Sequence, residues 1–128
     1  MKKKILIVLA DYYTDISNGL LKSAKSRLKN LYSVKTIKVP GVFEIPVTIS
    51  KNIKKYDAFI ALGCVIKGQT PHFDFISHAS TNAIMQLSVH SKKPIGNGII
   101  TCFNMNQAKA RMKKGAEASS AVISIINQ

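Results

Sequence analysis

Tyr56-Asp57-Ala58-Phe59-Ile60-Ala61-Leu62-Gly63-Cys64-Val65-Ile66 decides the fold, because the run Ala58 to Leu62 carries no polar side chain. A strand with one wet face alternates apolar and polar residues, whereas an unbroken run suits a central strand covered on both faces. Working outward, Lys67-Gly68-Gln69-Thr70-Pro71 is a loop and His72 to His90 a helix. Upstream, Lys4 to Leu9 and Ser33 to Lys38 read as strands, the second stopped by Pro40-Gly41. Between them Ser17 caps a predicted helix running to about Leu31, with Leu20, Leu21, Ala24 and Leu28 on one stripe. A further helix is expected over Glu44 to Lys54, with Pro46 in its first turn, where a missing N–H costs little. Pro94 to Thr101 is the fourth strand, and the remainder is helical, interrupted near Gly115. Strands alternating with helices predict an α/β domain over residues 1–128, a three-layer α/β/α sandwich around a four-stranded, mainly parallel sheet.

Composition narrows the function. The formal charge of +13 suggests nucleic acid, yet the basic residues are scattered lysines, with only Arg27 and Arg111 as arginines. Scattered lysines mark solvated helix faces and leave a field that attracts anions, without a specific nucleic-acid site. No apolar run approaches the roughly 20 residues that span a bilayer, so no membrane partner is expected. Lys2 to Ala10 imitates a signal peptide only superficially, because Asp11-Tyr12-Tyr13-Thr14-Asp15 follows where small residues should stand. A cytoplasmic protein is the reading. Cys64 and Cys102 both fall in apolar strands and read as small buried thiols, not as a disulfide framework.

In open parallel sheets ligands bind beyond the carboxyl ends of the strands. Those ends carry Asp11-Tyr12-Tyr13, Val39 to Glu44, Gly63 to His72 and the segment after Thr101. His72 opens a helix, and an unperturbed imidazole in general titrates near neutrality, so such a side chain can give and take protons; its plainer role is to cap or pack. Gly68-Gln69-Thr70 leads into that helix and could receive an anion on backbone N–H groups, although such residues also serve simple turns. Arg111 could supply a forked cation, or merely lie on the surface. Glu44 could accept substrate hydroxyls or just favour a helix dipole, and Tyr12 could stack on a flat ring or cover a core edge. The three histidines have no metal-site spacing. A Cys64–His72 nucleophilic pair is rejected, since a reactive thiolate needs an accessible, electropositive setting.

Three separated blocks carry a resemblance: Val39-Pro40-Gly41-Val42-Phe43-Glu44-Ile45-Pro46, then Tyr56-Asp57-Ala58, then Gly63-Cys64-Val65-Ile66-Lys67-Gly68-Gln69-Thr70-Pro71-His72-Phe73-Asp74. Asn97-Gly98 and Gln107-Ala108 to Arg111 continue it in order. Over almost the whole chain the sequence resembles the lumazine synthases. The resemblance implies a flavodoxin-like fold and condensation of 5-amino-6-(D-ribitylamino)uracil with 3,4-dihydroxy-2-butanone 4-phosphate, without metal or organic cofactor. It implies that His72 shuttles protons and that Gln69, Thr70 and Arg111 hold the phosphate. Tyr12, in place of the usual Phe, would stack on the pyrimidine. Val42, Phe43 and Glu44 would face the ring and ribityl chain, Cys64, Val65 and Ile66 would border the ring, and Asn97 would enter across a subunit boundary. The partners implied are the two substrates and further copies of the chain, in a homopentamer that some relatives build into a sixty-subunit shell.

The departures are Tyr13, where relatives usually have Asn; Thr101-Cys102-Phe103-Asn104, for a Thr-Thr-acid stretch; Ala79, for a common Glu; and a shortened region after Arg111. The sequence also opens on its first strand, where relatives carry a segment that adds to a neighbour's sheet; these departures bear on the size of the assembly, for which the pentamer is the expectation. Two rivals stand beside this reading: an archaeal-type riboflavin synthase that dismutates lumazine, and a non-catalytic basic scaffold that binds RNA.

Overall fold

The computed structural model describes residues Met1–Gln128. Four strands, β1 (Lys4–Ala10), β2 (Ser33–Val39), β3 (Ala58–Ile66) and β4 (Ile95–Cys102), form one sheet in the order β2-β1-β3-β4. Every neighbouring pair is parallel, so the sheet is wholly and not just mainly parallel. Five helices cover it: α1 (Thr14–Leu28), α2 (Ile45–Lys51), α3 (His72–Ser91), α4 (Met105–Ala110) and α5 (Lys114–Ile126).

The apolar runs explain the layering. In β1, Ile5, Ile7 and Leu9 face α1 and α5, while Leu6, Val8 and Ala10 face α2 and α3. β3 divides likewise, with Ile60 and Leu62 on the first side and Phe59 and Ala61 on the second. Both strands lie at the centre of the sheet, and neither has a face left for water. The sheet separates a core of sixteen buried residues from a core of ten, so the two faces are not equally filled.

Two local expectations change. α1 starts three residues before Ser17 and stops at Leu28, after which Lys29 takes a positive φ of 48°. Ser17 is no cap: its buried hydroxyl donates to the Ala10 carbonyl at 2.8 Å and ties the helix to the end of β1. The helix expected over Glu44 to Lys54 is a 3-10 turn, Val42–Glu44, followed by the shorter α2. The break in the last helical region falls between α4 and α5, before Gly115. Gly115 lies inside α5, where a side-chain carbon would run into the backbone carbonyl of Leu20. Its lack of Cβ lets α5 press against α1. Gly96 does the same for β4, since a Cβ there would stand 2.5 Å from the Ala118 carbonyl oxygen of α5.

Candidate active site

The parallel register brings the strand ends to one rim. Ala10 pairs with Val39, Leu9 with Leu62, and Ile66 with Cys102, so the segments that follow emerge side by side. With strands about 4.8 Å apart, the rim is roughly 14 Å wide. His72 is the first residue of α3 and exposed; its backbone N–H donates to the Thr70 hydroxyl at 3.4 Å. Gln69 and Thr70 are exposed beside it. No side chain caps α3, so the N-terminal amides keep their pull on an anion.

Arg111 follows α4, and its Nη1 donates to the Thr101 carbonyl at 3.2 Å. A guanidinium has five N–H donors, so one such anchor leaves a fork for a ligand. Phe73, next to His72 in the chain, takes part in an aromatic contact that the sequence did not announce. Phe103, just past β4, packs its ring 6.3 Å from that of Phe73, and Lys67 stands over it at 5.4 Å. The Lys67 N–H also donates to the Cys102 carbonyl at 2.8 Å. These links hold the loop before α3 against the turn after β4. Asn104 caps α4 through the Gln107 N–H, and the Gln107 side chain accepts from the Phe103 N–H, which stiffens that turn.

Tyr12 and Phe43 are 72% and 65% exposed at the rim, apolar rings left uncovered by the chain itself. Glu44 is half-buried, Val65 and Ile66 likewise. Val42 and Cys64 differ: their side chains are buried in opposite cores. Tyr13 packs against the core that holds Cys64 and Cys102. Burial above all, and then the neighbouring Cys102 thiol, push the Cys64 thiol up to about 12, the setting of an inert cysteine. Burial also raises the Tyr13 phenol, helped by Tyr12 and Cys64.

Asn97 is not brought to this rim. It pairs with Ala61, well inside the strand. Four residues at about 3.3 Å each put it roughly 13 Å short of Thr101 along β4. Its side chain is exposed on the edge strand, and its Oδ1 accepts from the Ile99 N–H at 3.1 Å.

Sequence reasoning passed over Asp11. Its Oδ1 is buried at the rim without a hydrogen-bond donor from the protein, while Oδ2 lies 3.9 Å from the Lys38 ammonium. A carboxylate at the end of a central strand was the available signal. No three His, Cys, Asp or Glu side chains stand close enough to hold a metal ion. No helix is long and apolar enough to cross a membrane.

The profile of the 6,7-dimethyl-8-ribityllumazine synthases matches residues 2–128. A 6,7-dimethyl-8-ribityllumazine synthase of Bartonella tribocorum is 44% identical, over 98% of this chain and 91% of its own length. That of Agrobacterium fabrum is 41% identical, over 98% of this chain and 93% of its own. A 6,7-dimethyl-8-ribityllumazine synthase 1 of Rhodopseudomonas palustris is 42% identical, over 96% and 83%. A parallel α/β sheet of this order and a match along nearly its whole length agree: the chain belongs to the 6,7-dimethyl-8-ribityllumazine synthase family.

Proposed function

We propose that the chain condenses 5-amino-6-(D-ribitylamino)uracil with 3,4-dihydroxy-2-butanone 4-phosphate at the rim of its sheet, releasing 6,7-dimethyl-8-ribityllumazine, phosphate and water. The enzyme is thus a transferase of riboflavin biosynthesis. The observation that carries this reading is the full-length family match, with a His at the start of α3 and an anchored Arg beyond β4 in the matched blocks.

The amines of the pyrimidine must lose protons as they attack carbonyl carbon, and the departing oxygens must gain them. His72, exposed at the start of α3, carries an imidazole, the side chain suited to both transfers near neutral pH. Gln69, Thr70 and Arg111 hold the phosphate next to the amides that open α3, and the same contacts favour its departure as an anion. Tyr12 stacks on the pyrimidine, Phe43 and Glu44 take the ribityl side, and Val65 and Ile66 wall the ring. Val42 and Cys64 contribute backbone, their side chains being committed to the cores. Positioning two reactants is worth roughly 7–11 kcal/mol, and proton transfer adds on the order of 10²–10⁴-fold. Replacing His72 with Ala therefore lowers turnover by a factor in that second range and does not abolish it.

The chain works as a homopentamer in the cytoplasm. α3 supports the first part: of its twenty residues only Ser80 and Ile84 are buried, while Phe75, Met85 and Val89 are exposed. Asn97 supports it too, because an exposed amide remote from its own rim is placed to serve a neighbour's. Two free, buried thiols fit a reducing compartment. No organic or metal cofactor is required by this chemistry.

Mixing the two substrates with the folded protein and following lumazine fluorescence tests the function. A signal that depends on both substrates is expected; none from folded protein rejects the assignment. The riboflavin synthase and RNA-scaffold readings are not favoured, since the relatives matched along the chain carry the synthase name.

A further inference from the structure

At the opposite end of the sheet from the rim, the starts of β1 and β3 and the approach to β4 converge, and lysines gather there. The register sets Ile5 beside Ala58 and Phe59 beside Ile95, so the segments just before these residues are neighbours. The result is a concave basin of about 350 Å³ lined by Lys2, Lys3, Lys4, Lys54, Lys55 and Lys93. One carboxylate, Asp57, joins them, and its Oδ2 is already engaged by the Lys4 backbone N–H at 2.8 Å. The chain's single ion pair, Lys38 with Asp11, belongs to the other end of β1. The Lys93 ammonium is pinned by the Ile53 carbonyl at 2.6 Å, which fixes one positive charge in the wall.

Nothing in the packing calls for this concentration of charge. Lys2, Lys3, Lys4, Lys54 and Lys55 are exposed and cover no core. Like charges crowded within a Debye length of about 8–10 Å repel one another at ordinary salt, and an anion relieves that repulsion. The donors also define the anion. All are ammonium groups, compact point charges on flexible stems, which suit phosphate oxygens without the planar fork that a carboxylate or a base edge rewards. A single phosphate engages a few of them, whereas linked phosphates reach several. The basin is small and concave, unlike the long basic stripe along which a nucleic acid lies.

We propose that this basin binds a small anion carrying two or more linked phosphates, either free oligophosphate or the phosphate chain of a nucleotide. The site is separate from the reaction rim: the seven residues of β1 put about 23 Å between them. It stands whether or not the proposed catalytic roles are right.

Calorimetric titration of the intact protein at physiological salt, with tripolyphosphate, ATP and inorganic phosphate in turn, tests it. Tripolyphosphate and ATP are expected to bind once per chain and phosphate far more weakly. Equal affinities mean that the phosphates alone are read, and tighter ATP means that the base adds contacts; either sustains the proposal. The decisive comparison sets the variant Lys54→Gln/Lys55→Gln against Lys22→Gln/Lys25→Gln on the exposed face of α1, which removes the same charge elsewhere. Losing two charge-assisted contacts costs at least about tenfold in affinity in the first variant, and about twofold or less in the second. Equal losses would reduce the basin to a diffuse field and overturn the proposal. So would the absence of tripolyphosphate binding, or a single-stranded RNA that binds more tightly and weakens equally in both variants.

Discussion

The two faces of the sheet are finished to different degrees. Against α1 and α5, a core of sixteen buried residues is closed by glycines at the contact points, so close that two of them admit no side chain. Against α2 and α3, ten residues are buried, β4 keeps Asn97 exposed, and α3 leaves Phe75, Met85 and Val89 in solvent. One face is complete within a single chain, and the other leaves apolar side chains uncovered, as the proposed assembly of copies requires. The reaction rim straddles them. Arg111 follows α4, whose Ala108 enters the closed core, whereas His72 opens α3 on the unfinished side. Chemistry that needs both groups therefore depends on how the open half is held.

The largest stability effect should come from breaking the closed face. Gly115→Ala places a carbon against the Leu20 carbonyl and the Ala24 amide, backbone atoms with little room to move. Overpacking of this kind costs roughly 1–3 kcal/mol, more than the fraction regained in helix propensity. A lowered urea midpoint is expected. Gly68→Ala is the contrast, since no atom lies within 4 Å of the added carbon, and it should move stability by less than about 0.5 kcal/mol. If both glycines tolerate Ala equally, the close packing of α1 on α5 is wrong.

Arg111→Ala comes next and sharpens the division of labour at the rim. Its side chain is exposed, so the fold should survive. Losing a charged partner of the phosphate costs about 1.5–3 kcal/mol, seen as a raised KM for the butanone phosphate with little change for the pyrimidine. Equal changes for the two substrates would remove Arg111 from the phosphate role.

How much of this was legible in the sequence follows from which interactions are local. The run Ala58 to Leu62 identifies a central strand because burial on both faces is written in consecutive residues, while Lys4 to Leu9 reads only as a strand and its central place comes from the fold. Ser17 was misread as a helix start, its ordinary local meaning, while the helix break expected near Gly115 falls just before it. In the fold Ser17 answers the Ala10 carbonyl, and Gly115 answers Leu20, far away in sequence. The blocks supplied the candidate residues, of which the fold brings Asn97 elsewhere and buries the Val42 and Cys64 side chains, but not the means by which the halves of the rim are joined. Phe103 was noted only as a departure, yet its ring fills the space between Phe73 and Lys67. Asp11 gave no sign of its buried, unmatched oxygen, which depends on what surrounds the strand end.

The open face gives a third test. Met85, 62% exposed in the middle of α3, makes little contribution to the fold of one chain. Met85→Glu should change protomer stability by no more than about 0.5 kcal/mol while placing a charge in an apolar contact between copies. Sedimentation is expected to show a smaller species that keeps the native circular dichroism spectrum. An assembly of unchanged size would mean that α3 is not where copies meet.

The last effect belongs again to the closed face; it is absent at neutral pH and appears only in alkali. In the unfolded chain the Cys64 thiol ionises near its ordinary value of about 8.5, whereas burial beside Cys102 holds it protonated up to about 12. Between those values the folded state binds more protons than the unfolded one, so stability must fall as the pH rises. The contribution is complete below the lower value and is lost as the pH climbs through the upper. Tyrosines and lysines titrate in the same window, so the useful quantity is a difference: unfolding free energy against pH for the wild type minus that for Cys64→Ala. Removing the thiol should flatten the decline above about pH 8.5, and the folded wild type should resist iodoacetamide at neutral pH. Parallel curves, or ready alkylation of Cys64 in the folded protein, would show that this end of the closed face admits water.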